Sequence, residues 1–351
     1  MKRNVIIDIA KYIAAIFVVA IHTSPFKNIS PEINFFFINI VCRFAVPFFA
    51  VCTGFYMSSI GEKNGLPYVV KRSLYRMIKL YISWSLIYLI YLTYVWIKSG
   101  SNITWLYYKG WLQGTIISFS FYHLWYLISM CYGLCCYSFV KRFINEKLFT
   151  SIIIILWTIQ AFGYAYDSYF HLFPTIVKNY MNLFSAIFNG LTLMLPLLLT
   201  GDMINKYGLS LSNTHIRIGL LISILGLIIE VYILRHIGVE RWSFVLLTLP
   251  CAFFTFTNLY KMGEKFNKIG NFSKHLASIS LIVYCIHPMI PGILGYNDIT
   301  YPMAIFLLTS IISTIIGLIY IYIKQYKLKK CNYEKNCRYD SFTWWFNTLW
   351  G

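Results

Sequence analysis

Along the chain, mostly apolar runs alternate with short polar stretches from the N-terminus to about residue 323. Each run holds about 20 residues, enough for a helix to cross a hydrocarbon core of about 30 Å. The pattern predicts spans at 5–24, 35–57, 77–97, 120–140, 149–166, 183–201, 217–235, 242–260, 277–295 and 302–323. The expected fold class is therefore all-α, a polytopic membrane protein of about ten transmembrane helices. The first run is too long for the apolar core of a signal peptide. It also contains Asp8 and Lys11 and lacks a small-residue cleavage site, so it is expected to stay in the protein. The connections near 61–79, 98–119 and 167–182 read as loops too short for a soluble catalytic domain. Residues 1–330 are thus expected to form one membrane domain. Residues 331–351 read as an aromatic tail, with Phe342, Trp344, Trp345, Phe346 and Trp350 suited to the membrane interface.

Composition agrees with the pattern. The 351 residues are 58% hydrophobic and 12% charged, whereas a soluble domain carries roughly 25% charged residues. The net charge of +18 comes from 30 basic against 12 acidic residues. Most of the basic residues fall in alternate connections, which predicts that both termini are cytoplasmic. This charge orients the chain in the cell membrane and meets anionic lipid. A nucleic-acid partner is not expected, because no basic-aromatic surface module is visible. Of nine cysteines, seven lie in or beside spans, where cysteine behaves as a small hydrophobe. Cys331 and Cys337 lie in the tail, and no spacing suits a metal site.

The candidate chemistry lies where polar residues interrupt the spans. A titratable side chain in a bilayer is costly and usually faces a bundle interior or a wet cavity. Asp8, Lys11 and His22 fall on one stripe of the first helix, with Lys11 and His22 about 16 Å apart along its axis. Arg43 lies in the second span, His123 opens the fourth, Glu230 sits in the seventh and His287 in the ninth, directly before Pro288. A proline there frees a backbone carbonyl and kinks the helix. Arg43 is expected to be paired, with Glu230 the favoured partner. Taken singly, His22 and His123 also read as interfacial histidines and His287 as a satisfied bundle histidine. Lys71, Arg72, Arg76 and Lys79 approach the third span; they read as snorkelling anchors or as a landing site for a phosphate-bearing substrate.

Four segments carry a family resemblance. IDIAKYIAAIFVVAIH, CRFAVPFFAVCTGFYM, YHLWYL and SLIVYCIHPMI occur in order over nearly the whole chain. Together they resemble the acyltransferase-3 family of integral membrane acyltransferases. Asp8, His22, Arg43, Pro47, Thr53, Gly54, His123, His287 and Pro288 stand at the matching places. Lys11 stands where the family's first helix usually has arginine, and Tyr12 follows where glycine is common; lysine keeps the charge and loses bidentate phosphate recognition. AIHTSPF, YHLWYL, LIIEVYILR and CIHPMI further resemble the membrane domains of the VanT group, membrane-bound serine racemases of glycopeptide-resistant bacteria. The soluble racemase domain of that group, with its pyridoxal-phosphate lysine, has no counterpart here, so the chain is not expected to racemise serine alone.

The resemblance implies an O-acyltransferase in which His22 is the catalytic base. Asp8, Lys11, Arg43, Arg72, His123, Glu230 and His287 are the expected substrate-binding residues. An acyl-CoA is the implied co-substrate, with no bound cofactor, and the acceptor is a small molecule with a hydroxyl group. The VanT likeness implies a second reading, an L-serine supply module that partners a separate soluble serine racemase. In a third, the bundle only tethers a partner enzyme at the membrane.

Overall fold

A computed structural model of the protein describes residues 3–100, 104–171, 173–239, 242–266, 273–295 and 300–333. Within them the chain is helical, with no strand. Eight helices among the described residues are long and apolar enough to cross a membrane, or nine if the bent pair His275–Ile286 and Met289–Gly295 forms one span. The expected span 242–260 overlaps the helix Thr248–Lys265, which is not among those long and apolar enough to cross, so the count falls short of ten. The protein is thus a multi-pass membrane protein, as its apolar runs predict. The aromatic tail beyond Tyr333 lies outside the described residues.

Three connections differ from expectation. Residues 61–79 are almost wholly helical, as the approach of Lys71, Arg72, Arg76 and Lys79 to the third span implies, and the connection is shorter than expected: the helix Pro31–Asn64 and the helix Leu66–Lys98 are separated by Gly65 alone. Gly65 has φ +82°, a left-handed conformation that glycine adopts without steric cost, so one residue breaks the helix. The connection 98–119 contains the helix Trp105–Ile117, and 167–182 contains Asp167–Phe170 and Thr175–Leu183.

The chain divides into two compact units, one of Val46–Lys261 and one of Lys2–Ala45 with Met262–Gly351. In the second, the helix Val5–Thr23 packs on Ser273–Ile286 and on Pro302–Tyr333. The Asn4 side chain caps its start by accepting from the Ile7 N–H at 3.2 Å. Ser24, in a left-handed conformation, closes its end by donating to the Ala20 carbonyl at 2.9 Å. Ala20, Ile38 and Cys42 form a buried contact flanked by Phe17, Ile21, Phe37 and Phe306. Tyr12 meets Thr314 at 2.9 Å. Without a hydrophobic gradient between helices in lipid, close packing and such hydrogen bonds hold the group together.

The same economy governs the first unit. A Cβ on Gly54 would stand 2.1 Å from the Leu198 carbonyl oxygen, and one on Gly201 2.3 Å from the Val51 oxygen. The helices Ala45–Asn64 and Leu195–Lys206 therefore touch backbone to backbone. Gly133 and Gly190 make a second close crossing, where a Cβ would meet Met194 or Tyr132 at 2.5 or 2.4 Å. Near the end of Leu195–Lys206, the fully buried Asp202 accepts from Lys141 Nζ at 3.1 and 3.0 Å and from the Tyr137 hydroxyl at 3.3 Å.

Candidate active site

His22 stands in the last turn of the helix Val5–Thr23, where its side chain is exposed. His287 is fully buried, and its ring centroid lies 5.2 Å from that of His22 with the planes inclined by 31°. His287 sits where the helix Ser273–Ile286 breaks, and the chain resumes at Met289–Gly295 at an angle of 50°. Pro288 has no N–H to donate and explains the break.

Arg43 joins this pair as an electrostatic neighbour of His22. The backbone that carries it is irregular: a π-helix over Phe37–Val41 is followed by a 3-10 turn over Cys42–Phe44. Pro47, four residues after Arg43, cannot donate to the Arg43 carbonyl, so the ordinary ladder restarts only with Ala45–Asn64. Single π turns of this sort often mark functional positions. Arg43 Nε approaches the Asn39 Oδ1 at 3.5 Å, and the Asn39 amide donates to the Phe35 carbonyl at 3.0 Å. Buried Asn39 thus orients the guanidinium. Asn39 is a site residue that the motifs do not point to; its spacing of four residues from Arg43 is the signal that it carries.

The other expected residues do other work in the structure. Asp8 is buried and forms an ion pair with Arg3, whose guanidinium also donates to the Ser273 carbonyl at 3.2 Å. The Asp8 carboxylate thus ties the chain start to the helix Ser273–Ile286, at the opposite end of its own helix from His22. Lys11 is half-buried on the first helix.

In the first unit, Arg72 is exposed near the start of Leu66–Lys98. His123 is buried among rings, 4.8 Å from Tyr88, 5.6 Å from Phe121 and 5.7 Å from Tyr122 by centroid.

The expected pairing of Glu230 with a basic partner gives way to a different arrangement. Its carboxylate accepts from the Leu246 and Leu247 N–H groups, both at 2.9 Å, and from the Tyr166 hydroxyl. Trp157 donates to the Leu246 carbonyl at 3.1 Å. Residues 242–247 are therefore not the start of a span but a pinned approach to the helix Thr248–Lys265. Glu230 supplies acceptors to N–H groups at a helix entrance, the task a local cap performs elsewhere.

The arrangement of an exposed histidine, a buried histidine and an arginine suits proton abstraction and stabilisation of a developing anion. A family profile described as an acyltransferase domain, that of the acyltransferase-3 family, matches residues 4–323. The chain belongs to the acyltransferase-3 family. An amino-acid racemase of Enterococcus faecalis is 28% identical over 293 residues, which cover 81% of this chain and 40% of that protein. A serine/alanine racemase of Enterococcus gallinarum is 26% identical over 307 residues, covering 82% of this chain and 40% of that protein. The chain thus spans about two fifths of the length of these relatives. Their names agree with the resemblance of AIHTSPF and CIHPMI to membrane-bound serine racemases. No solved structure matches the chain significantly.

Proposed function

We propose that this acyltransferase-3 protein moves an acyl group from a cytoplasmic acyl-CoA thioester to a hydroxyl acceptor near the outer face of the cell membrane. The observation that carries the reading is the exposed His22, backed by buried His287 and flanked by Arg43. An imidazole is suited to take a hydroxyl proton near neutral pH. Acceptor oxygen then bonds to the thioester carbonyl carbon, and the guanidinium of Arg43 stabilises the oxyanion that forms. The C–S bond breaks, and the CoA thiolate takes the proton back from His22. Lys11 serves the phosphates of CoA at the cytoplasmic side. About 16 Å of helix axis separates Lys11 from His22, a span comparable to an extended pantetheine arm.

The names of the racemase relatives favour a second reading, in which the bundle supplies L-serine to a soluble racemase. Arg43 would then hold the serine carboxylate.

The two readings part in one preparation of purified protein in lipid vesicles. Acetyl-CoA consumption that needs His22, without uptake of labelled L-serine, supports acyl transfer. Saturable serine uptake without thioester consumption overturns it in favour of the supply role.

A further inference from the structure

Hydroxyl side chains inside these helices commonly bond back to their own backbone. Thr23, Thr200 and Thr257 donate to the carbonyls four residues before them at 2.9, 2.7 and 2.7 Å. In the helix Pro302–Tyr333, Ser313 and Thr314 do the same toward Thr309 and Ser310, both at 2.6 Å. Thr309 and Ser310 themselves do not. Thr309 is fully buried, and its Oγ1 and the buried Oγ of Ser310 meet no hydrogen-bond partner among the described residues. An unmade hydrogen bond is costly in hydrocarbon, and small residues kept only for close helix packing have no need of one.

Contacts on either side place the two hydroxyls along the helix. The Tyr12 hydroxyl meets Thr314 at 2.9 Å, and Phe306 packs against Ala20 and its buried neighbours. Ser310 stands one turn from Thr314 and one turn from Phe306, so it faces the first helix midway between Tyr12 and Ala20. That level is about 9 Å of helix axis short of His22. Thr309 shares a stripe with Ser313 and Gly317, and a Cβ on Gly317 would stand 3.1 Å from Ile279 of the helix Ser273–Ile286. The pair is thus turned toward the helix that carries His22 and the helix that leads to His287.

We propose that Thr309 and Ser310 hold the amides of the pantetheine arm of acyl-CoA between Lys11 and His22, an inference that rests on the acyl-transfer reading. Each amide of the arm presents one N–H donor and one carbonyl acceptor, and a hydroxyl, which both donates and accepts, meets either. The first amide is two methylenes from the sulphur, and the second is two methylenes beyond the first. Both therefore fall within about 10 Å of a thioester placed at His22, which brackets the level of Ser310. L-Serine would call for charged partners to its carboxylate and ammonium, and a hydrocarbon chain for no polar partner at all. Two neutral hydroxyls match neither. The pair reads the carrier of the acyl group rather than the acyl group itself.

The test measures binding of CoA to full-length protein in lipid nanodiscs, beside 3′-phospho-ADP, the same nucleotide without the arm. Thr309→Val keeps the shape of its side chain and removes the hydroxyl, and Ser310→Ala removes the other with little change in volume. Each should weaken CoA binding about 2- to 10-fold, the worth of one hydrogen bond, and leave binding of the armless nucleotide unchanged. Without ligand, both variants should unfold at or above the wild-type temperature, because these hydroxyls hold no other part of the described chain. A lower unfolding temperature without ligand, or an equal loss for the armless nucleotide, overturns the inference. Wild type that binds CoA no better than its variants overturns the inference alone. Wild type that binds neither CoA nor the nucleotide overturns the acyl-transfer reading and the inference with it.

Discussion

His22 is open to its surroundings and His287 is fully buried, yet their rings stand 5.2 Å apart. A reacting group needs access, and of the two histidines only His22 has it. Replacing His22 by alanine should lower acyl transfer by about 10²–10⁴-fold, the usual contribution of a general base. Thioester consumption measured beside gel filtration of the same sample checks it, since the helix around an alanine at position 22 has no reason to unfold.

Arg43 offers a graded test. Removing a donor from a developing oxyanion costs about 10²–10³-fold in kcat, so Arg43→Ala should lose that much. Asn39→Ala leaves the guanidinium in place without its orienting amide and should fall between the wild type and Arg43→Ala. Equal losses in the two variants would show that Asn39 supports the fold of the irregular turn rather than the aim of the arginine.

Glu230 should matter for stability and not for turnover. Its carboxylate satisfies two backbone N–H groups ahead of Thr248–Lys265, besides the Tyr166 hydroxyl. Leaving such donors unpaired costs about 1–3 kcal/mol. Glu230→Ala should therefore lower the unfolding midpoint in detergent while thioester consumption per folded molecule is kept. Tyr166→Phe should do so more mildly, because both N–H groups keep their acceptor.

The ion pair of Lys141 and Asp202 should show strong non-additivity. Asp202 is fully buried and Lys141 nearly so, with side-chain exposures of 0% and 11%. Removing Lys141 strands the buried Asp202 charge, at a cost of about 3–5 kcal/mol, while removing both is far cheaper; removing Asp202 costs less, because Lys141 keeps its ion pair with Glu146 at 3.5 Å. Asp202→Asn and Lys141→Met should each depress the yield of folded protein. The double variant should recover much of it, and additive losses would contradict the pairing.

The crossing at Gly54 predicts a steric effect with no chemistry in it. A methyl group there would overlap the Leu198 carbonyl oxygen at 2.1 Å, and backbone cannot yield as a flexible side chain does. Gly54→Ala should destabilise by about 1–3 kcal/mol, as overpacking does. Thermal unfolding of the variant beside Gly110→Ala, where nothing lies within 4 Å, separates the crossing from the general effect of adding a methyl.

Much of this arrangement is readable from the residues alone, because membrane helices obey length and polarity rules that leave few alternatives. The apolar runs locate the spans, and Pro288 marks the break beside His287. Helical spacing cannot show what each polar residue bonds to. Asp8 has Lys11 within one turn on its own helix, but its observed partner is Arg3, which lies before the helix begins. Glu230 is satisfied from residues 16 and 17 positions further on and from Tyr166, 64 positions back. Such closures depend on how a chain folds back, and no local period encodes them. Gly65 escapes detection for the opposite reason: one residue is too short a signal between Glu62-Lys63-Asn64 and Leu66-Pro67.

The π-helix before Arg43 has a consequence for comparing this chain with its relatives. A turn closed by an i→i+5 bond holds one more residue than an α turn, so side chains beyond it are rotated by about 100° from where an uninterrupted helix would put them. Loss of a single residue between Phe37 and Val41 would leave every functional side chain present while swinging Arg43 toward a different neighbour. Two sequences can therefore agree letter for letter at the arginine and still point it in different directions, and the number of residues in that turn, more than the identity of any of them, decides which.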